Sequence, residues 1–330
     1  MQYKTMPAMP DIRFSAIGFG CWSLGGGSRW RDSSDAESIA TIHRAIDCGV
    51  TFFDTAPVYG FRGSETLLGE ALRGRRDKVT LASKCGLLWD DNKTIVRCLT
   101  AKAIRNDVEG SLRRLQTDHL DLLQLHWPDH NTPLEETARA IEELLRAGKV
   151  RYLGVTNFSV ADTERLAKMV PISSYQGLFN ALERNPKGYH AEILEYRTEA
   201  EILPLCKKMG LAFFPYSPLF QGLLTDDFPF TDGFPASDVR SENPKLNGEN
   251  LARHLKARAD LKAVADRAGL SLTHLALSWL TNNPTVTSVI CGAQHPDQIA
   301  DNAAAGDITL SESIRKDIEE TLDCQSLDAA

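Results

Sequence analysis

Strand-like apolar segments alternate with helix-like amphipathic segments along almost the whole chain, and this alternation limits the possible folds. The strand-like segments are 15–21, 50–55, 79–84, 120–127, 151–157, 173–180, 211–217 and 287–293. Seven of them precede a helix-like segment, and these are 34–48, 64–74, 101–116, 133–150, 159–170, 196–209 and 295–305. Because the apolar runs are nearly continuous, they predict parallel strands that are covered by helices.

Eight such strands, seven followed by a helix-like segment and one by a long polar loop, predict an α/β protein with a closed (β/α)₈ TIM barrel, a single domain over residues 1–330 and a C-terminal helix. A doubly wound open sheet would carry a G-x-G-x-x-G fingerprint. Gly18 and Gly20 fit that pattern, but Ser23 stands where its third glycine belongs, and we therefore reject it. After the seventh strand, residues 220–250 are polar and rich in turn residues. In a barrel, so long a loop is expected to cover a binding site.

Composition and charge narrow the class of protein and its partners. The chain is 42% hydrophobic and 25% charged, and its net charge is −7, which argues against nucleic acid or an anionic membrane as the main partner. No apolar run approaches the roughly 20 residues that span a bilayer. Seven cysteines without a CxxC pair, and an N-terminus without an apolar signal segment, predict a reduced, cytoplasmic location.

Polar side chains follow most of the apolar strands at the point where each strand ends. Because barrel enzymes work at the C-terminal ends of their strands, these side chains are expected to converge on one site. They are Asp54 with Tyr59 five residues later, Lys84, His126, Thr156 with Asn157, Gln176, and Tyr216 with Ser217.

Four of these residues suggest a specific chemistry. A phenol has a pKa near 10, and a nearby ammonium such as that of Lys84 favours the phenolate of Tyr59 and lowers this value. Asp54 would neutralise Lys84 in a half-buried site, and His126 could donate to a substrate oxygen. This set predicts proton exchange with a carbonyl or alcohol oxygen. Neither a nucleophile paired with histidine nor close metal-ligand spacing stands out, and no metal is predicted.

The motifs that carry these residues resemble the aldo-keto reductase family. The likeness runs from about residue 14 to 305. It rests on SAIGFGCW (15–22), FFDTAPVYG (52–60), GSETLLGEAL (63–72), LASK (81–84), LLQLHWPD (122–129), GVTNFS (154–159), YQGLFN (175–180), FFPYSPLFQGLL (213–224) and ICGAQHPDQIADN (290–302). The resemblance implies a (β/α)₈ barrel that binds a nicotinamide dinucleotide and transfers hydride between nicotinamide C4 and the carbonyl or alcohol carbon of an aldehyde, ketone, sugar or polyol.

The resemblance also implies a role for each matching residue. Tyr59 would be the general acid and base, Lys84 would lower its pKa, Asp54 would pair with Lys84, and His126 would orient the carbonyl. The substrate pocket would contain Trp22, Tyr59, Trp89, His126 and Trp127. The cofactor would meet Gly20, Cys21, Trp22, Asp54, Thr156, Asn157, Gln176, Tyr216, Ser217, Pro218, Leu219, Gln221, Gly222, Gly292, Gln294, Gln298 and Asn302.

The segment expected to bind the adenosine end of the nucleotide differs from the pattern that is common in the family. The resemblance implies NADP(H), and family members that use it commonly place Arg or Lys near Gln294 to hold the 2′-phosphate. Residues 289–302 contain neither, and His295 would be mostly neutral at pH 7. This segment therefore favours NAD(H) or dual use, with weakened discrimination between the two nucleotides.

Two other functions remain open on the sequence alone. Lys84 could form a Schiff base with substrate, as in barrel aldolases, although that would leave Tyr59, Gln176 and Tyr216 without a role. Related barrels also serve as cofactor-binding regulatory subunits of potassium channels. The full set of four catalytic residues favours an enzyme.

Overall fold

Eight parallel strands among the described residues form one sheet. The computed structural model describes residues 1–24, 34–190, 192–228, 234–236 and 238–323; Cys324 and positions 229–233 and 237 of the predicted covering loop lie outside them. The strands are β1 (Ile17–Gly20), β2 (Phe52–Asp54), β3 (Thr80–Cys85), β4 (Leu120–Leu125), β5 (Val150–Thr156), β6 (Ser174–Leu178), β7 (Ala212–Tyr216) and β8 (Val289–Gly292).

The strand order closes the sheet almost completely. The strands are hydrogen-bonded in the order β7–β6–β5–β4–β3–β2–β1–β8. Between the two end strands, the backbone N–H of Thr287 donates to the carbonyl of Phe213 over 2.9 Å, and the backbone N–H of Phe213 donates to the Thr287 hydroxyl over 3.2 Å. The predicted (β/α)₈ barrel is confirmed.

Helices surround the barrel and follow the predicted order closely. They are α1 (Asp35–Asp47), α2 (Gly63–Ala71), α3 (Ala101–Leu115), α4 (Leu134–Arg146), α5 (Val160–Ala167), α6 (Leu203–Met209), α7 (Gly248–Arg267), α8 (Leu272–Thr281), α9 (Pro296–Ala304) and the predicted C-terminal helix α10 (Glu312–Asp323). Several begin at a hydroxyl residue that accepts a backbone N–H three positions later, which satisfies one free donor of the first turn. These N-caps are Ser34, Thr100, Ser159 and Ser271.

The period-two alternation of strand side chains separates an apolar layer from a polar layer inside the barrel. In β2, Phe52 points into the barrel and stacks on Phe214 with ring centroids 4.5 Å apart, whereas Phe53 packs outward with the helices. Asp54, two residues after Phe52, then points inward one layer higher. The same step leads from Ala82 to Lys84 in β3. Apolar side chains therefore fill the barrel toward the N-terminal ends of its strands, and ionisable side chains lie at the C-terminal ends, at the mouth of the barrel.

Several elements were not predicted from the sequence. A hairpin of Tyr3–Met6 and Met9–Ser15 contributes Met9, Ile12 and Phe14 to the apolar layer inside the barrel. Two further hairpins pair Leu87–Trp89 with Ile95–Arg97 and Gly188–Tyr189 with Glu192–Ile193. The predicted long loop after the seventh strand is present and ends where α7 begins at Gly248. Within the described ranges, no helix is both long and apolar enough to cross a membrane.

Candidate active site

A buried ion pair lies at the base of the barrel mouth. Lys84 Nζ donates to Asp54 Oδ2 over 2.5 Å, and their side chains are 0% and 4% exposed. Lys84 Nζ also donates to the carbonyl of Thr55 over 3.1 Å. Burial lowers the pKa of Lys84, while the charge and hydrogen bond of Asp54 oppose that shift. The two charges compensate each other in a place where neither would be stable alone.

Two amides hold the second oxygen of the Asp54 carboxylate. Gln124 Nε2 and Gln176 Nε2 each donate to Asp54 Oδ1 over 2.9 Å. All three side chains are buried, and they come from strands β2, β4 and β6. Hydrogen bonds to the charged form stabilise it, so this carboxylate is held in one orientation beneath the site. Gln176, predicted to meet the cofactor, is in this structure bound to Asp54.

The phenol of Tyr59 lies directly above this ion pair. Lys84 Nζ is 4.8 Å from the Tyr59 ring centroid. Enclosure by the surrounding protein raises the pKa of Tyr59 well above its ordinary 10.0, and the Asp54 charge raises it further. The net shift is therefore upward, because removal from water outweighs the stabilisation of the phenolate that was predicted for Lys84. Tyr59 is held as a neutral phenol.

His126 faces Tyr59 edge to ring, with centroids 5.7 Å apart and planes at 84°. Burial lowers the pKa of His126 well below 6.5, and the positive charge of Lys84 lowers it further. A neutral imidazole carries one N–H donor. Two neutral donors, the phenol and the imidazole, can therefore be directed at one acceptor oxygen between them.

Asn157 connects the histidine with the aromatic wall of the site. Its Oδ1 accepts from the hydroxyls of Tyr216 and Tyr196 over 2.9 and 3.0 Å, and its Nδ2 donates to the carbonyl of His126 over 3.3 Å. Asn157 adopts φ 64°, a left-handed conformation that Asn tolerates better than most residues. The neighbouring Thr156 hydroxyl is buried and has no hydrogen-bond partner among the described residues. Thr156 also lines the cavity described below, so its hydroxyl is available to a water molecule or to a ligand group.

One cavity of about 1590 Å³ connects these groups with the end of the barrel near β8. The predicted site residues that line it are Gly20, Trp22, Asp54, Tyr59, His126, Trp127, Thr156, Asn157, Gln176, Tyr216, Ser217, Pro218, Leu219, Gln221, Gly222, Gly292, Gln294, Gln298 and Asn302. Ligand pockets for small molecules usually measure about 300–1,000 Å³. This cavity is therefore large enough for a dinucleotide together with a small substrate.

The loop after β7 bends around the cavity wall through left-handed backbone. Ser217, Phe220 and Gln221 have φ values of 52°, 46° and 55°, and such strained positions concentrate at binding sites. Farther along the loop, Asn243 Nδ2 donates to Gln221 Oε1 over 3.0 Å and Arg240 Nη1 to the Gln221 carbonyl over 3.3 Å. The described part of the loop thus packs against the cavity, and the covering of a bound ligand by this loop stays a prediction.

At the β8 end, the cavity reaches the first turn of α9. Gln298 Oε1 accepts the backbone N–H of Gln294 over 2.8 Å, and Asn302 Nδ2 donates to the carbonyl of Gly292 over 3.3 Å. His295, the only possible cation of this segment, has its Nδ1 2.6 Å from Glu37 Oε1. A carboxylate therefore already occupies the position beside the one basic side chain.

Three predicted site residues lie outside the cavity lining. Cys21 is fully buried and packs toward the helices, because the turn at Cys21–Ser23 directs its neighbour Trp22 to the cavity instead. Lys84 lies beneath the floor and acts through its charge. Trp89 packs against Phe61 with ring centroids 5.5 Å apart, so that Phe61, and not Trp89, faces the cavity. The structure therefore does not place Cys21 or Trp89 in the cavity lining, where cofactor contact was predicted for Cys21 and substrate contact for Trp89.

The two unpredicted hairpins contribute residues to the cavity that the sequence analysis missed. Leu87, Lys93, Ile95 and Arg97 come from the first, and Tyr189, His190 and Glu192 come from the second. Their strands have only two or three residues each, and this length gives no periodicity to detect. Arg97 and Glu192 are 95 positions apart, and no sequence pattern links them.

Comparisons with known proteins agree with this geometry. The Aldo/keto reductase family model matches residues 16–323. The aldo-keto reductase YhdN of Bacillus subtilis is 36% identical over 326 residues, which cover 98% of this chain and 94% of YhdN. The NADH-specific methylglyoxal reductase of Escherichia coli is 31% identical and covers 92% and 93%. The structure of the glycerol dehydrogenase AKR11B4 from Gluconobacter oxydans has a TM-score of 0.87, with 32% identity and coverage of 99% and 97%.

Proposed function

Because the chain belongs to the aldo-keto reductase family, we propose that it is an NAD(P)-dependent oxidoreductase that interconverts a carbonyl and an alcohol, with Tyr59 as general acid and base. The observation that carries the proposal is the placement of Tyr59 and His126 over the buried Lys84–Asp54 pair, in the same cavity as the unpaired Thr156 hydroxyl. Substrates of this chemistry are aldehydes, ketones, sugars and polyols.

Each residue of the site has a separate role in carbonyl reduction. His126 donates an N–H and Tyr59 an O–H to the substrate oxygen, and the Tyr59 hydroxyl then transfers its proton to that oxygen. When bound, the nicotinamide supplies a hydride to the carbonyl carbon. The Lys84 ammonium stabilises the phenolate that Tyr59 becomes, and Asp54 fixes the ammonium in place. In the reverse direction, the phenolate takes the proton from the alcohol.

The chain offers matching groups along the whole length of a dinucleotide. The Thr156 hydroxyl and the aromatic ring of Tyr216 would meet the nicotinamide end. The left-handed backbone from Ser217 to Gly222 would follow the pyrophosphate, and the N-terminal turn of α9, at Pro296, would attract negative charge near the adenosine end. These assignments rest on the family motifs and on the cavity that joins the residues.

Preference between the two nucleotides is expected to be weak. Segment 289–302 has no Lys or Arg, and His295 lies against Glu37, so this segment would offer a 2′-phosphate a carboxylate and no fixed cation of its own. In binding titrations we expect the dissociation constants of NADH and NADPH to differ by less than about a hundredfold. Gln294→Arg should shift the ratio toward NADPH by about tenfold, since Arg pairs strongly with phosphate.

Gln294→Met is the matched control for this prediction, because it removes the amide and adds no charge. It should leave the nucleotide ratio within about twofold of the original protein's ratio. A preference for NADPH of about a hundredfold or more in the unmodified protein would contradict the proposal.

The reduction rate should not change over the neutral and mildly alkaline pH range. The pKa of His126 lies below 6.5 and the pKa of Tyr59 lies above 10.0, so between these values both groups are neutral and the phenol keeps its proton. We expect kcat/KM for reduction of an uncharged aldehyde to be level from about pH 7 to pH 9.5, since this parameter reports the free enzyme. A decline centred near pH 8 would instead show that Lys84 lowers the pKa of Tyr59.

The position of Lys84 argues against a Schiff-base aldolase. Its amine is fully buried, donates to Asp54 and Thr55, and does not line the cavity. A substrate carbonyl could reach it only after the ion pair broke. Treatment with borohydride in the presence of aldehyde should therefore leave Lys84 unmodified, and a trapped adduct on Lys84 would favour the aldolase. The regulatory-subunit alternative would instead require nucleotide binding without turnover.

A further inference from the structure

An ion pair bridges the two hairpins at the rim of the cavity. Arg97 Nη2 donates to Glu192 Oε2 over 2.5 Å, and the two side chains are 33% and 58% exposed. Both residues line the cavity. The guanidinium is thus the more enclosed partner, and the carboxylate is the more solvated one.

The guanidinium of Arg97 lies close to the proposed reacting groups. Its Cζ is 4.5 Å from the ring centroid of Trp127, and Trp127 directly follows His126, whose ring faces Tyr59. Arg97, Tyr59 and His126 line the same cavity, so a substrate held at its carbonyl oxygen by Tyr59 and His126 could place a second polar group near this cation. Lys93 adds a second positive charge to the lining of the same hairpin.

The Arg97–Glu192 ion pair contributes little to holding the two hairpins together. Exposed ion pairs contribute little to stability, because water already solvates both partners well. A guanidinium has several donors in a planar fork that matches a carboxylate, and it is less strongly hydrated than an ammonium. A carboxylate that arrives through the cavity could displace Glu192 into solvent and gain a better-shielded contact with Arg97.

We propose that Arg97 is a specificity-determining residue that binds a carboxylate group of the substrate, and that Glu192 occupies this position until such a substrate enters. This inference rests on the proposed function, because the substrate is an aldehyde or ketone that also carries a carboxylate. Glu192 then competes with the substrate carboxylate for the guanidinium of Arg97.

A pair of matched substrates distinguishes carboxylate binding by Arg97 from a purely structural role, in which the ion pair only holds the two hairpins together (a latch). The comparison uses 4-oxobutanoate, which carries a carboxylate, and butanal, which has the same chain length and no charge. In Arg97→Gln the ratio of kcat/KM for 4-oxobutanoate to that for butanal should fall about tenfold, the loss typical of a charged hydrogen bond. In Glu192→Gln the same ratio should rise about two- to fivefold, since the competing charge is gone.

The test depends on the kcat/KM ratio changing in opposite directions in the two variants. A latch would make both variants lose activity on both substrates, with the ratio unchanged, and that result would overturn the proposal. Arg105 and Glu143 form a comparable exposed pair, 2.9 Å apart, between α3 and α4 and away from the cavity. Arg105→Gln is the matched control, and it should leave the ratio unaltered.

A binding measurement keeps the inference separate from turnover. Trp127 lies against Arg97, so its fluorescence should change when butyrate, the unreactive anion, displaces Glu192 in the nucleotide-loaded protein. We expect saturable binding that weakens about tenfold in Arg97→Gln and no response to butanol. Failure to reduce either aldehyde, with butyrate binding intact, would refute the proposed function and not the anion site. Absence of Arg97-dependent binding would refute the anion site.

Discussion

Tyr59→Phe should lower kcat for carbonyl reduction by about 10²- to 10⁴-fold, the range for loss of a positioned general acid. The substitution removes only the hydroxyl, while the ring remains over Lys84 and beside His126. Steady-state oxidation of the dinucleotide with a simple aldehyde measures the rate, and fluorescence titration measures nucleotide binding. The binding constant should change little, because the phenol acts on the substrate oxygen.

Tyr3→Phe is a matched control for the loss of one tyrosine hydroxyl. Tyr3 donates to the carbonyl of Gly49 over 3.0 Å, in the hairpin at the other end of the barrel. This control should retain full activity. If Tyr59→Phe kept the original turnover, another group would have to supply the proton and the assignment would fail.

Lys84→Met should be the most destabilising single substitution in the site. It leaves the Asp54 carboxylate buried without its ammonium, and breaking a buried pair in this way costs about 3–5 kcal/mol in the free energy of unfolding. The double variant Asp54→Asn/Lys84→Met should lose less, because an amide oxygen at position 54 can still accept from Gln124 and Gln176. Urea unfolding followed by circular dichroism provides the comparison.

Lys208→Met supplies the matched control for the buried pair. Lys208 Nζ lies 2.8 Å from Glu164 Oε1, but the side chains are 72% and 40% exposed, and so exposed a pair contributes little to stability. If Lys84→Met were no more harmful than Lys208→Met, the buried pair would not have the energetic role given to it here.

The sequence predicted the barrel well because its signals are local and repeated. Each apolar strand was long enough to recognise, and the same alternation that buries Phe52 inside the barrel also places Asp54 at its mouth. Residues at strand ends could be assigned to one site because barrel closure brings strand ends together whatever lies between them. This reasoning correctly brought Asp54, Lys84 and His126 into one cluster.

The features missed by the sequence depend on contacts between distant segments. The hairpins that hold Arg97 and Glu192 are too short for periodicity, and their pairing is visible only in three dimensions. The outward rotation of Cys21 and the packing of Trp89 on Phe61 follow from local turn geometry. The net direction of the Tyr59 pKa shift could not be predicted, because it depends on the balance between burial, Lys84 and Asp54, and the motif does not fix this balance.

The most direct test of the account is the fate of the hydrogen at nicotinamide C4. NADH or NADPH deuterated at the transferred position is incubated with the protein and an aldehyde, and the alcohol is analysed by NMR and mass spectrometry. We expect one deuterium on the carbinol carbon, and at least about a hundredfold less labelled alcohol when Tyr59→Phe replaces the original protein for the same time. An alcohol without deuterium, or product formation that is independent of the dinucleotide, would contradict it.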